Sequence, residues 1–272
     1  MHLEAYLRRI RYTGPVSPTF DVLCALQTAH VCSVPFENLD VQLGHKLTTD
    51  IEPAYEKIVA RERGGWCFEQ NGLFGWALAE IGFDVTRVAA SVMRHERGES
   101  SNANHLCLLV LCEDAEAAHL ADVGFGGSLI KPIALAEAEY YQDPFQLGLR
   151  RLDDGFWQFW ENAGDGEFSF DFMPDDKNEA AMAHRCEFLQ TDPASGFVQN
   201  LVVERRTLTA HLCLRGRVLS IARSAGIETR LIETADELVT TLGKQFRLDI
   251  PEAVELWPRI TSRHEEYLRE QA

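Results

Sequence analysis

Apolar residues in the first third of the chain recur every three or four positions, and beyond Gly82 the interval shortens toward two. The first spacing predicts helices and the second predicts strands. Ser17-Pro18 reads as a helix start, with Ser17 as N-cap and Pro18 in the first turn, and Phe20, Leu23 and Leu26 then follow at helical spacing. A second helix is predicted over about 53–61, where Tyr55, Ile58 and Val59 share a face. A third is predicted from 67 to 81, with Phe74, Ala77, Leu78 and Ile81 as its buried stripe and Gly82 as its stop. Strands are predicted over 85–92, 105–112, 118–123, 155–160 and 168–173. The run 105–112 is almost continuously apolar, which suits burial on both faces. Phe168, Phe170 and Phe172 alternate with polar residues, which predicts one buried face. Residues 174–178 form a polar loop. Further strands are expected over 200–206 and 207–213. A hairpin turn at Leu214-Arg215-Gly216-Arg217 leads into 218–221, and Thr234 with Glu237 reads as a capping box for a helix carrying Leu238, Leu242 and Phe246. The pattern is that of an α+β protein in three units. A helical part spans 1–84, an antiparallel sheet closing toward a barrel spans 85–190, and a mixed α/β part spans 191–272.

Composition narrows the functional classes. At roughly 100–200 residues per domain, 272 residues allow one large domain or two to three small ones. No stretch approaches the roughly 18 apolar residues a membrane helix needs. The opening segment is polar, without an apolar signal stretch, so a cytoplasmic protein with no membrane partner is expected. The formal charge of −16 disfavours nucleic acid as a partner. It does not exclude an anionic ligand in a locally basic pocket, because distant charges are screened. The seven cysteines are odd in number, and no C-x-x-C pair occurs. Neither a disulfide framework nor a metal site is expected.

The densest chemistry lies in Arg63-Gly64-Gly65-Trp66-Cys67-Phe68-Glu69-Gln70-Asn71. Two glycines precede a cysteine at a predicted helix N-terminus. Free N–H groups and the positive end of the helix dipole can stabilise a thiolate there, and the same N–H groups can hold an oxyanion. The bland alternative is a plain loop followed by a packed first-turn cysteine. Such a nucleophile needs a base. Of nine histidines, His105 differs in opening an apolar strand, where a ring is held rigidly yet stays accessible. The base needs an orienting group. Asp122 ends an apolar strand just before Gly124-Phe125-Gly126-Gly127, and a buried carboxylate is costly unless paired. A hairpin through 113–117 would set His105 and Asp122 at the same end of the sheet. Taken singly, each residue also reads as ordinary core or turn chemistry.

Four segments together resemble the arylamine N-acetyltransferase family, of prokaryotic type. They are Pro35-Phe36-Glu37-Asn38-Leu39-Asp40, the segment around Cys67, Asn104-His105-Leu106-Cys107-Leu108-Leu109-Val110, and Asp122-Val123-Gly124-Phe125-Gly126-Gly127. The resemblance covers essentially the whole chain and is strongest up to about Gly127. It implies a helical bundle, a β-barrel and an α/β lid around a cysteine-protease-like Cys-His-Asp core, with Cys67, His105 and Asp122 as the catalytic triad. It implies acetyl-CoA as acyl donor, aromatic amines or hydrazines as acceptors, and no metal. Phe36 and Phe125 would line the acceptor pocket. Asn104, Gly126 and Gly127 would meet the cofactor, and Arg63 with Glu37 would form a structural pair beneath the site. Position 104 is Asn where many members have Thr. Neighbouring chemistries stay open at this level: a thioester hydrolase, an amide synthase of natural-product assembly, or a binding protein that keeps the fold without turnover. Self-association of the chain is likewise open.

Overall fold

The computed structural model describes every residue except Ser128, Asp165 and Ala272. The first part is helical, with helices Leu3–Arg9, Phe20–Ser33, Leu39–Leu43, Ile51–Tyr55 and Cys67–Ile81. Helix Cys67–Ile81 has the predicted bounds, and Gly82 closes it at φ 108°, a left-handed conformation that glycine adopts without a Cβ penalty. The helix predicted at Ser17-Pro18 begins later, at Phe20, with Thr19 as its first flanking residue. The reason lies far along the chain. The Phe20 N–H donates to Asp114 Oδ1 at 2.8 Å, and the Glu113 N–H takes the Pro18 carbonyl at 2.8 Å, so the helix end is capped from another segment. The second predicted helix starts at Ile51 and finishes in a π turn, Glu56–Ala60.

The strands in chain order are β1 (Phe36–Glu37), β2 (Asp84–Val92), β3 (His105–Leu111), β4 (His119–Ala121), β5 (Ile133–Ala134), β6 (Ala138–Gln142), β7 (Phe145–Arg151), β8 (Trp157–Asn162), β9 (Phe168–Phe172), β10 (Val202–Arg206), β11 (His211–Arg215), β12 (Val218–Arg223) and β13 (Gly226–Leu231). Eight of them form one antiparallel sheet in the order β5-β4-β3-β2-β9-β8-β7-β6. Its outer strands are β5 and β6, yet only residues 135–137 separate them. Consecutive Cα atoms lie about 3.8 Å apart, so this connection spans at most roughly 15 Å. Eight flat strands at about 4.8 Å spacing would need roughly 34 Å. The sheet therefore curls until its edges approach. Its interior is filled by Val88, Leu120, Leu147, Leu149, Phe159, Phe170 and Phe172.

Strand β9 corrects one expectation. Both of its faces are buried from Ser169 onward, because Asp171 accepts from Arg94 Nε and Gln158 Nε2, each at 2.7 Å, and so can leave water. Helix Glu179–Thr191 follows the predicted loop. Asn178 Oδ1 caps it by accepting from the Ala181 N–H, and it buries Met182 and Cys186 against the N-terminal helices. The remaining strands form a second antiparallel sheet, β1-β10-β11-β12-β13, whose first strand comes from the helical part. One face of this sheet, with Val203, Leu212, Leu214 and Leu219, packs on Leu238, Leu242 and Phe246 of the C-terminal helices. The other face looks back toward the curled sheet. Among the described residues no helix is long and apolar enough to cross a membrane.

Candidate active site

The N-terminus of helix Cys67–Ile81 is seated by the segment before it. A Cβ at Gly64 would lie 2.3 Å from the Pro35 carbonyl, so only glycine allows β1 this close. The Glu37 N–H donates to the Gly65 carbonyl at 3.0 Å, which joins the 35–40 and 63–71 segments edge to edge. Beneath them lies a buried charge cluster. Arg63 Nη2 reaches Glu37 Oε1 and Asp40 Oδ1, both at 3.1 Å. Lys57 Nζ reaches Asp40 Oδ2 at 2.8 Å, Glu69 Oε2 at 2.9 Å and Glu37 Oε1 at 3.5 Å. Burial alone would lower the Lys57 pKa, but the three carboxylates outweigh it and hold the ammonium well above its ordinary value. The expected Arg63–Glu37 contact is therefore one edge of a five-residue network. Glu69 also accepts the Trp66 N–H at 3.2 Å, tying the network to the residue before Cys67.

Cys67, His105 and Asp122 are all buried. Strand β3 runs antiparallel to β4 with Leu108 opposite Ala121, so His105 and Asp122 lie at one end of the pair, as the hairpin requires. His105 Nε2 is 2.5 Å from Asp122 Oδ2. A carboxylate only accepts, so the proton lies on Nε2 and Nδ1 is the basic nitrogen. The other oxygen, Oδ1, accepts from Asn71 Nδ2 at 2.8 Å and from the Gly124 N–H at 2.7 Å. Asn71 also donates to the Leu106 carbonyl at 2.5 Å and accepts the Val123 N–H at 2.9 Å, so one amide ties the Cys67 helix to β3 and to the Asp122 segment. Neither Asn71 nor Lys57 stands out as a site residue in the sequence. Asn71 had one signal: it lies four positions after Cys67, on the same helix face.

Cys67 Sγ lies 4.0 Å from the Asn104 carbonyl, beside the start of β3. Burial first, and then the negative charge of Asp122, push this thiol well above its ordinary value. The Leu106 and Phe68 N–H groups pull in the opposite direction. Asn104 spends its side chain on the backbone, with Oδ1 accepting the Val92 N–H at 2.8 Å.

Aromatic rings flank the site on two sides. Phe125 meets the His105 ring at 5.3 Å and stacks on Phe168 at 5.0 Å. Phe36 packs on Phe197 at 6.1 Å, and Phe197 contacts Trp66 at 5.7 Å. A cleft of about 690 Å³ opens between the curled sheet and the second sheet; Phe125 and Gly126 line it, whereas Phe36 does not. Gly126 and Gly127 have φ of 104° and 99°. A Cβ on Gly126 would sit 1.9 Å from Glu204 Oε2, a flexible side-chain end, so it is the left-handed φ that calls for glycine here whatever ligand approaches. Among the described residues no group of three or more His, Cys, Asp or Glu is placed to hold a metal ion.

The α+β fold with its curled sheet has close counterparts of known structure. The N-acetyltransferase family model matches residues 19–254, and the chain belongs to that family. An arylamine N-acetyltransferase from Mycolicibacterium smegmatis is 33% identical over 257 residues, covering 92% of this chain and 93% of its own. One from Escherichia coli is 38% identical over 161 residues, covering 58% of this chain and 56% of its own. The solved structure of the Mycobacterium marinum arylamine N-acetyltransferase in complex with CoA superimposes with a TM-score of 0.86 at 32% identity, over 96% of this chain and 98% of the other. This chain is an acetyltransferase of that kind.

Proposed function

We propose that the protein transfers an acetyl group from acetyl-CoA to the nitrogen of arylamines and arylhydrazines, in two steps through an acetyl-Cys67 thioester. The observation that supports the mechanism is the His105–Asp122 pair, held from behind by Asn71 and Gly124, with Cys67 Sγ 4.0 Å from the carbonyl of the residue before His105. In the first step His105 Nδ1 takes the thiol proton and Asp122 offsets the imidazolium charge. The sulfur attacks the donor carbonyl, backbone N–H groups at the helix N-terminus would hold the oxyanion, and the CoA thiolate leaves with the proton from His105. In the second step an amine nitrogen attacks acetyl-Cys67 and His105 accepts its proton. The amide forms and the Cys67 thiol is restored. An arylamine suits this step because its nitrogen is unprotonated near neutral pH.

CoA fits the cleft on physical grounds. The space is large, about 690 Å³, and it ends at Phe125 and Gly126, with the Phe125 ring 5.3 Å from His105. Gly126, Gly127 and the Asn104 segment would border the donor's thioester end, while Phe125 and Phe36 would give the acceptor apolar walls. Arg63 and Glu37 support the Cys67 helix from below. Residues 191–272 act as a lid whose sheet supplies the far wall, over the units 1–84 and 85–190. A cytoplasmic setting belongs to the same reading. Initial rates across a grid of acetyl-CoA and aniline concentrations test it. Parallel double-reciprocal lines, with turnover abolished in Cys67→Ala, are expected. Intersecting lines or an active Cys67→Ala protein would remove the covalent mechanism.

A further inference from the structure

The cleft has two chemically different ends. Its inner end is Phe125 and Gly126, one ring away from His105. His211 Nε2 is 2.9 Å from the Gly126 carbonyl, so β11 enters the cleft at this point. From there His211, Cys213 and Arg215 alternate onto the cleft face. A strand rises roughly 3.4 Å per residue, which sets Arg215 roughly 13–14 Å further out. At that outer end helix Trp257–Glu270 contributes Arg259 and Arg263, four positions apart on one face. The helix is held there by Ile260, which lies against Gly216 in the turn after Arg215.

Cations thus gather at one end of a cleft in a chain of net charge −16. Among the described residues Arg215 is in no ion pair, and Arg259 donates to the neutral side chain and carbonyl of Gln42. Arg263 shares its charge with Glu266 at 3.3 Å and Glu270 at 3.9 Å, partly exposed pairs that hold little energy and yield readily to a stronger anion. Three carboxylates line the cleft: Glu204 faces Cys213 and Gly126, Glu167 pairs with Arg150, and Glu161 lies on β8 of the curled sheet, so none of the three belongs to the helix that carries Arg259 and Arg263. A ligand that matches this layout is neutral and polar along one arm and carries several negative charges at the far tip.

We infer that Arg215, Arg259 and Arg263 seat the phosphate groups at the nucleotide end of the acyl donor. Guanidinium groups pair with phosphate oxygens two bonds at a time, and three of them within one helix-and-turn corner suit a diphosphate with a further phosphate nearby. The inference rests on the reading of this cleft as the donor's seat.

Its test separates the two claims. In Cys67→Ser protein, where thioester exchange is blocked, calorimetric titration compares CoA with pantetheine, which has the same arm and no phosphate. Arg215→Ala and Arg263→Ala each raise the CoA Kd about tenfold, leave the pantetheine Kd unchanged within error, and flatten the dependence of CoA binding on sodium chloride. Arg215→Lys keeps part of the affinity. CoA binding equal to that of the parent in both alanine variants, or equal weakening for CoA and pantetheine, overturns the inference. Because the titration needs no acyl transfer, a failure of Cys67 acetylation in the parent would remove the catalytic reading without altering this result.

Discussion

Asp122→Asn exchanges one atom and tests how the site sets its proton. Oδ1 of Asp122 accepts from two fixed donors, Asn71 Nδ2 and the Gly124 N–H, at 2.8 and 2.7 Å. An asparagine must keep its oxygen there, or two buried donors lose their partner at a cost of about 1–3 kcal/mol each. The new NH₂ group then points at His105 Nε2, which can receive it only as an unprotonated nitrogen. The imidazole proton moves to Nδ1, the atom that must take the proton of Cys67. In a serine protease the equivalent change costs roughly 10⁴-fold in kcat, or about 5.5 kcal/mol at 1.36 kcal/mol per decade. The same loss is expected here, in the rate of Cys67 acetylation measured by rapid quench and mass spectrometry. The fold stays intact because every backbone bond around position 122 is retained. ¹⁵N spectra of the labelled histidine should show the protonated nitrogen switching from Nε2 to Nδ1. An acetylation rate within tenfold of the parent, or a parent tautomer already protonated at Nδ1, refutes the reasoning.

Other consequences follow from individual groups. Burial pushes His30, which bonds Tyr6 and Gln70, down to about 3. Unfolding between that value and the ordinary value of about 6.5 takes up one extra proton, so this group's contribution is complete above about 6.5 and is lost as pH falls, at about 1.4 kcal/mol per pH unit. Urea titrations from pH 6.5 to 5 should show a shallower loss of stability in His30→Gln; parallel slopes would contradict this. Lys57→Met leaves Glu37, Asp40 and Glu69 with Arg63 alone and should cost about 3–5 kcal/mol in urea unfolding; a loss below 1 kcal/mol would show that the network is not coupled. Gly126→Ala forces a side chain onto Glu204 Oε2 at φ 104° and should lower kcat/KM on the order of 10²-fold by displacing Phe125. Adding Glu204→Ala should return part of that loss, and a double variant no better than the single one would place the cause elsewhere.

Where local signals agreed, the sequence was readable. Helix Cys67–Ile81 combines a 3.6-residue stripe, a glycine stop and an abrupt glycine-rich start, and its bounds emerge without tertiary information. The His105–Asp122 adjacency is legible for a similar reason: two apolar runs joined by a short polar segment have few ways to pair. Strand β7 carries Phe145, Leu147 and Leu149 at period two, but Gly148 interrupts the pattern. Its reason is a neighbour, since a Cβ there would lie 2.5 Å from the Ala138 carbonyl. Asp171 reads as a solvent-facing residue because its partners, Arg94 and Gln158, are distant in sequence. Lys57 looks like an ordinary surface charge on a short helix. Only the folded chain gathers three carboxylates around it. Asn71, the amide that joins three segments, carries no local sign of its bonds beyond its spacing from Cys67.

The central claim is that the acetyl group rests on one particular sulfur between donor and acceptor. Intact-protein mass spectrometry after brief mixing with acetyl-CoA alone, followed by peptide mapping, measures this directly. The account predicts a gain of one acetyl group, confined to the peptide containing Cys67 and discharged on adding aniline. No adduct, an adduct on another cysteine, or one that persists in the presence of the amine would contradict it.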